Sequence, residues 1–296
     1  MINFVALMLA LLLEKVFARF AHLRNLPALD AYGRFVVGKV RACEPQHRLI
    51  LAAFYALAPA LAIAVLALVA DLHDVSYVAY AALTLAFALG PQDLFAQTEE
   101  YIALVRSGNP LAASRAADLL EHDAGQRRGE GFERVADVVF VQANNRVFGV
   151  LFWFTVLGVC GPAGAVLFRV TDVLRRAAIR DAAAHDGDAG DAVIAVLQRI
   201  HGALAWAPAR LLALCFGVAG SFDDAFRGWR GYLSAEGDEF FEANDRLLVH
   251  AGQGALSAAF ASSTDEVGRT ELALTLVRRS LYVWIAALAL LAAVVP

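Results

Sequence analysis

The chain has few of the residues from which disulfide frameworks and metal sites are built. Three cysteines occur among its 296 residues, with Cys160 and Cys215 in apolar stretches and Cys43 in a basic one. An odd and scattered set does not form a disulfide framework, and no Cys-x-x-Cys or Cys/His spacing indicates a metal site. The seven histidines are scattered in the same way. The sequence therefore predicts no metal and no cofactor.

Positive charge and catalytic motifs are scarce as well. The formal net charge is −4, which argues against binding to nucleic acid, because phosphate backbones need a concentrated cationic face. No nucleophile elbow or phosphate-binding loop occurs. The acidic pairs Glu99-Glu100 and Asp223-Asp224 are adjacent in sequence, so on a helix their side chains point about 100° apart instead of converging. These absences predict no catalytic residue.

Apolar residues, in contrast, are abundant and make up 59% of the chain. A membrane span needs about 20 of them in a row, and the candidate spans are about 2–20, 49–70, 75–90 and 281–295. The first resembles a signal peptide, but it lacks a basic start and an Ala-x-Ala cleavage site, so we interpret it as a retained helix. We predict an all-α, polytopic integral membrane protein whose residues 1–296 form a single membrane domain.

The distribution of Lys and Arg predicts the orientation of these spans. Seven Lys and Arg residues lie between the first apolar stretch, Ile2 to Leu13, and the second span, whereas the link Asp71-Leu72-His73-Asp74 has none. Because cytoplasmic loops carry the excess of positive charge, the first link is predicted to be cytoplasmic and the second external. Residues 91–146 then form a cytoplasmic loop whose apolar spacing predicts helical hairpins.

The apolar stretch 147–168 is interrupted by Gly158, Gly161, Pro162 and Gly164 and is followed by several arginines. An outright crossing would place those arginines outside, against the charge rule. One interpretation is a re-entrant hairpin that turns at 161–164. The other is a crossing in which the short apolar stretch 211–220 provides the return.

Polar residues at the ends of apolar stretches are the candidate site residues. They are Glu14, Asn144, Asn145, Arg146, Arg169, Trp206, Pro208 and Arg210. Ionisable groups at membrane depth are costly and often mark a site. The alternative is that the long arginine side chains extend to the interface and carry no function. Trp229 and Tyr232, further along, fit either the headgroup region or helix packing.

Pro208 gives a more specific expectation for Arg210. Proline lacks an N–H and disfavours helical backbone before it, so the chain is predicted to turn or to begin a helix near Pro208. Arg210 would then point back into the protein. Its expected acceptors are Glu14 and the carbonyl groups near Gly158, since a guanidinium has five N–H donors to satisfy.

Several segments of the chain resemble the AmpE family along essentially its whole length. They are Leu11-Leu12-Leu13-Glu14-Lys15, Gly90-Pro91-Gln92-Asp93-Leu94, the run from Asn145 to Phe154, Gly161-Pro162-Ala163-Gly164-Ala165 with Phe168-Arg169, and Trp206-Ala207-Pro208-Ala209-Arg210-Leu211. The resemblance implies a multi-pass protein of the inner membrane. It also implies a regulator of β-lactamase induction, with the lipid bilayer and a muropeptide ligand or a regulatory protein as partners.

AmpE proteins are distantly related to CobD/CbiB, a membrane enzyme that uses ATP in cobalamin biosynthesis. The segment Trp206 to Leu211 matches that enzyme, but Val141 to Arg146 and Val170 to Val173 depart from its acidic motifs. Phosphoryl transfer needs acidic groups to hold Mg²⁺. The sequence therefore predicts a signalling modulator or sensor and no enzyme. A CobD-like enzyme and a muropeptide transporter remain as alternatives, although inverted repeats typical of transporters are not visible.

Overall fold

A computed structural model describes residues 4–10, 27–70, 74–89, 94–124, 134–184, 188–234, 243–262 and 265–294. Within these ranges all regular structure is helical and no strand occurs, which confirms the predicted all-α class. The first candidate span is described only at residues 4–10, where it is helical. Glu14 lies outside the described residues.

The described residues form a series of helices. They are α1 (4–10), α2 (Pro27–Ala42), α3 (Arg48–Ala70), α4 (Asp74–Leu89), α5 (Leu94–Arg106), α6 (Pro110–Ala124), α7 (Val135–Ala143), α8 (Gly149–Val156), α9 (Gly161–Ala184), α10 (Asp188–Ala219), α11 (Phe222–Ser234), α12 (Ala243–Ala255), α13 (Ser257–Ser262) and α14 (Glu266–Val294). A π-helical turn, Asn144–Phe148, joins α7 to α8. A short 3₁₀ turn, Gly158–Cys160, joins α8 to α9.

Five of the described helical stretches are long and apolar enough to cross a bilayer. They are Pro45–Ala70, Val75–Arg106, Val135–Val156, Gly190–Ala219 and Glu266–Ala293, the second of which includes residues 90–93 that are not described. The protein is therefore a multi-pass membrane protein that contacts the lipid bilayer. The stretch Val135–Val156 begins inside the predicted cytoplasmic loop 91–146, and the boundaries of that loop stay a prediction.

The chain forms two compact units. Unit 1 comprises residues 1–91, 149–204 and 289–296, and unit 2 comprises residues 92–148 and 205–288. Each unit combines segments that are distant in the sequence. The prediction of one membrane domain across 1–296 is not tested by this division.

In unit 1, α9 packs against α2, α3, α4 and α8. Its apolar face contributes Val170, Leu174 and Ala177 to a core shared with Val36 and Val40 of α2. Because α9 contacts so many neighbours, the polar groups on it are also enclosed. That enclosure positions the first candidate site.

The reversal between α8 and α9 lies at Gly158–Cys160, so the predicted turn at 161–164 is wrong. Gly158 adopts a φ of 56°, a left-handed conformation that favours glycine. Gly161 and Gly164 instead belong to the first turns of α9, where Pro162 needs no hydrogen-bond partner for its missing N–H. A Cβ atom on Gly161 would lie 2.1 Å from the carbonyl oxygen of Phe154, so this glycine permits the close antiparallel packing of α8 and α9.

The predicted helix start at Pro208 is wrong as well, because Pro208 lies inside the unbroken helix α10. Its missing N–H would leave the carbonyl of Leu204, four residues earlier, without a helical donor. Trp153 of α8 supplies one, since its Nε1–H donates to the Leu204 oxygen at 3.0 Å. The stretch 211–220 therefore continues a helix that is long enough to span, and it is not an isolated short segment.

In unit 2, α12 packs between α7 and α11, and α5 and α6 form a hairpin beside α7. Phe140 of α7 and Phe216 of α10 meet in the core with ring centroids 5.3 Å apart. Gly108, with a φ of 71°, closes the α5–α6 connection. Asn109 caps α6 by accepting a hydrogen bond from the backbone N–H of Ala112 at 3.2 Å.

Candidate functional site

Unit 1 contains a buried ionic group on α9, which we call the Asp172 cluster: Arg169, Asp172, Arg175 and Arg176. The arginines lie three or four residues from Asp172, so the helical repeat brings all of them to its carboxylate. Nitrogen to oxygen distances are 3.3 Å for Arg169, 3.2 Å for Arg175 and 3.1 Å for Arg176. The Asp172 side chain is only 2% exposed. Three cationic groups thus surround one buried carboxylate.

The charges of the cluster decide the protonation of Asp172. Burial alone would raise the pKa of its carboxyl group, but the positive charges of Arg176 and Arg175, with smaller effects from His201 and Arg169, lower that pKa below its ordinary value. Asp172 is therefore ionised at neutral pH and is a weak base. A carboxylate held in this way is poorly suited to general-base catalysis, which needs a pKa near the working pH.

Two polar side chains lie beside the cluster, where α9 faces α10. Thr171 Oγ1 lies 3.2 Å from Nδ1 of His201, and Thr171 also donates to the carbonyl of Phe168 at 2.8 Å. The ring of Phe168 packs at 5.0 Å from the ring of His201. His201 is thus a buried packing histidine with a hydrogen-bond partner.

Unit 2 encloses the three polar residues of the π-helical turn. Asn144, Asn145 and Arg146 are all buried. Arg146 does not extend to the interface, because its Nε donates to Gln142 at 2.9 Å and its Nη1 donates to Gln97 at 2.6 Å. Turns of this type are frequent at functional sites. The turn therefore places three polar side chains inside the candidate span Val135–Val156.

The amides around Arg146 form a chain of hydrogen bonds that reaches α6. Gln142, which accepts from Arg146, donates through Nε2 to the carbonyl of Leu120 at 2.9 Å. Asn144 donates to Asn145 at 3.5 Å. Among the described residues, no donor reaches the buried Oδ1 of Asn144. This network fixes Arg146 with neutral acceptors, which differs from the ionic arrangement around Asp172.

Arg210 is half-buried on α10 and is held by three contacts within unit 2. It donates to the Oδ1 of Asn244 at 2.9 Å and to the carbonyl of Trp206 at 3.0 Å. Its guanidinium also lies 4.2 Å from the centroid of the Trp206 ring, a cation–π contact. Both acceptors belong to unit 2, and the expected acceptors Glu14 and the carbonyls near Gly158 stay predictions. The hydrogen bond from Arg210 to Asn244 thus connects α10, two residues after Pro208, to α12.

The predicted site residues therefore divide between the units. Arg169 belongs to unit 1, whereas Asn144, Asn145, Arg146, Trp206, Pro208 and Arg210 belong to unit 2. Sequence reasoning missed Arg175, Arg176, Gln142, Gln97 and Asn244 as partners. The spacing of Arg169, Asp172, Arg175 and Arg176 was a readable signal, because i, i+3 and i, i+4 pairs share a helix face. The amide partners carried no comparable signal, since they come from distant helices.

Metal ligands are not gathered at either site. In the part of the chain that the structure describes, no group of three or more His, Cys, Asp or Glu side chains is placed to hold a metal ion. Asp172 has arginines as its neighbours, and an arginine is not a metal ligand. The absence of a resident metal stays a prediction for the complete chain.

Comparison with known proteins connects the chain to one group. No protein-family model matches it, and no solved structure matches it. It is 31% identical over 156 residues to the cobalamin biosynthesis protein CobD of Stutzerimonas stutzeri, which covers 52% of this chain and 47% of that protein. It is 28% identical over 232 residues to the CobD protein of Chromobacterium violaceum, which covers 70% of this chain and 68% of that protein. The matched region spans about half the length of the first relative. The chain is therefore a multi-pass membrane protein with weak homology to the CobD cobalamin biosynthesis proteins.

Proposed function

We propose that the chain is a non-catalytic regulator of the AmpE type, located in the inner membrane and built on a scaffold related to CobD proteins. In this role it modulates the response to cell-wall stress and the induction of β-lactamase. Its partner is a muropeptide or a regulatory protein. The resemblance to AmpE segments supports the pathway, and the Asp172 cluster supports the absence of catalysis.

The observation that carries this proposal is the state of Asp172. Ligation driven by ATP needs carboxylates that hold Mg²⁺ against the phosphate oxygens. Asp172 lies within Val170 to Val173, a segment that departs from the CobD motif, and its oxygens already contact three guanidinium groups. A cation approaching Asp172 would be repelled by the arginines, which supports a structural role for this carboxylate.

The first experiment separates regulator from enzyme by nucleotide turnover. The purified protein in lipid nanodiscs is incubated with Mg²⁺ and ATP, beside an Asp172→Asn variant. We expect phosphate release at the background rate in both samples. Mg²⁺-dependent turnover by the natural protein above that background would overturn the proposal, whether or not Asp172→Asn retains it, because that substitution is also expected to destabilise the fold.

The second experiment tests the pathway in cells. The gene is deleted in its natural host, and β-lactamase activity is measured before and after exposure to a β-lactam. We expect altered induction that a plasmid copy restores. Unchanged induction with and without the gene would contradict an AmpE-type role.

A CobD-like enzyme is the second candidate, favoured by the similarity to the Chromobacterium violaceum protein over 70% of the chain. The test is growth of a strain that lacks its CobD protein under conditions that require cobalamin synthesis. The Chromobacterium violaceum protein serves as the matched positive control. We expect growth with that control and none with this chain, and growth with this chain would establish the second candidate.

A further inference from the structure

Helix α11 begins directly after a candidate membrane span. The candidate span of α10 ends at Ala219, and α11 starts at Phe222, so only two residues separate them. With 13 residues, α11 is roughly 20 Å long. The hydrocarbon core is about 30 Å thick. The helix is therefore too short to cross, and its start is tied to the end of a span.

One side of α11 is fixed against α12. A Cβ atom on Gly228 would lie 2.5 Å from the carbonyl oxygen of His250, and one on Gly254 would lie 2.4 Å from that of Asp224. Ser221 and Ser257 both donate to Oδ2 of Asp224, at 2.8 Å and 3.2 Å. These contacts leave little freedom for rotation about the helix axis. The outward face of α11 is consequently determined by the fold.

That outward face carries exposed aromatic rings. Phe222 is 52% exposed and Phe226 is 43% exposed. Their rings are stacked, with centroids 6.2 Å apart and planes at 8°. Trp229, one turn later, contacts Phe226 at 6.1 Å while packing partly against the core. Two large apolar rings side by side would be costly in contact with water.

Arginines flank the aromatic face. The guanidinium of Arg230 lies over the ring of Phe226 at 5.6 Å. Arg227 is exposed and pairs with Asp224 at 2.9 Å. An aromatic face bordered by arginines is typical of helices that lie in the plane of the membrane interface. Aromatic rings and long basic side chains are both favoured at headgroup depth.

We propose that α11 is an interfacial helix that binds phospholipid. Phe222 and Phe226 insert between the upper acyl chains, and Arg230 reaches the headgroup phosphates. The bilayer is the favoured occupant of this face because the helix leaves the end of a span with almost no linker. The inference concerns the attachment of unit 2 to lipid and does not depend on the proposed function.

The test measures the depth of single nitroxide labels in nanodiscs of phosphatidylcholine and phosphatidylglycerol. Cys43, Cys160 and Cys215 are replaced, and a label is attached to Phe226→Cys or to Arg227→Cys. Position 227 is the matched control, because it is exposed on the same helix but points about 100° from position 226. Oxygen concentrates in hydrocarbon, whereas a nickel chelate stays in water. We expect the label at 226 to collide more with oxygen and the label at 227 to collide more with nickel.

Either of two other outcomes would overturn the proposal. Preferential access of nickel at 226 would place the face in water, and protection from both reagents would indicate a protein partner or a second copy. A Phe226→Trp variant retains the native cysteines and gives an independent readout if the cysteine-free protein does not fold. Lipids brominated on the acyl chains should quench its added fluorescence, and the absence of added quenching would also contradict the proposal.

Discussion

At the scale of single residues, two buried charged side chains, Asp172 and Arg146, are each compensated by specific partners. Asp172 is surrounded by arginines, whereas Arg146 is held by the amide oxygens of Gln142 and Gln97. Burying a charge without compensation costs several kcal/mol. Removing one partner should therefore cost more than the pair contributes, because the remaining charge stays buried.

Replacing Asp172 by Asn tests this balance. The substitution keeps the shape of the side chain but leaves the positive charges of Arg169, Arg175 and Arg176 without their shared carboxylate. We expect the free energy of unfolding to fall by about 3–5 kcal/mol, measured by unfolding in detergent. Glu99→Gln is the control, since its pair with Arg278 is exposed and should cost less than about 1 kcal/mol. Equal effects of the two substitutions would contradict the prediction.

The pH dependence of stability gives a second readout of the same prediction. The pKa of Asp172 is lowered in the folded protein, so folding favours the ionised form. Its contribution to stability is present above the pKa of the unfolded chain and is lost as the pH falls toward the lower folded pKa. Asp172→Asn should therefore reduce the loss of stability on acidification below about pH 4.

At the scale of elements, α8, α9 and α10 are fitted to one another by features that sequence patterns treat as helix breakers. Pro208 lies inside α10, and the carbonyl that it leaves without a helical donor accepts from Trp153. Gly161 and Gly164 lie inside α9, where they admit the backbone of α8. In both cases a residue that is unfavourable for an isolated helix is compensated by a neighbouring one.

A double-mutant cycle tests the pairing of Trp153 with the proline site. Trp153→Phe removes the donor to the Leu204 carbonyl and should cost about 1 kcal/mol or more. In a Pro208→Ala background the backbone N–H at 208 restores a helical donor, so the hydrogen-bond part of the cost should disappear. The free energies of unfolding of the natural protein, the two single variants and the double variant give the coupling energy between Trp153 and Pro208. If Trp153→Phe costs the same free energy with Pro208 present as in the Pro208→Ala background, the hydrogen bond to Leu204 contributes nothing specific.

Gly161→Ala tests the close approach of α8 and α9. Its Cβ atom would lie 2.1 Å from the backbone oxygen of Phe154, so the helices must separate. We expect a loss of about 1–3 kcal/mol and a lower unfolding temperature. Gly38→Ala in α2 is the matched control, because a Cβ atom on Gly38 would have no neighbour within 4 Å, and alanine there should be neutral or stabilising by up to about 1 kcal/mol. A Gly161→Ala protein as stable as the natural one would contradict the close packing of α8 against α9.

At the scale of the whole molecule, the distribution of charge predicts how the protein is oriented in the bilayer. The link before α4 lacks Lys and Arg, whereas the segments before α3 and after α5 carry many. Positive charge is retained on the cytoplasmic side. Asp74 is therefore predicted to be external and Arg115 cytoplasmic.

Cysteine labelling in intact cells checks this orientation. With the native cysteines replaced, Asp74→Cys should react with an impermeant thiol reagent, and Arg115→Cys should react only after the membrane is opened. Labelling in opened cells is the control, because it shows whether each cysteine is accessible to the reagent or is buried in the protein. Labelling of Arg115→Cys in intact cells would invert the orientation.

Much of the candidate site was beyond the reach of sequence patterns. The residues of the π-helical turn were identified from their place before an apolar run, and Arg169 from its place after one. Their partners were not, because Gln97, Gln142 and Asn244 are ordinary surface-type residues until distant helices bring them together. Periodicity describes which residues share a helix face, but it does not describe which faces meet.

The sequence by itself determined the all-α class and the existence of membrane-spanning helices, because the need to bury about 20 apolar residues per span is a local property. Only the tertiary structure decided that Pro208 continues a helix, that the chain reverses at Gly158 and that arginines compensate the negative charge of Asp172. The physical reason is the same in each case. A missing donor, a close approach or a buried charge is tolerated only when another segment compensates for it, and that segment is known only after folding.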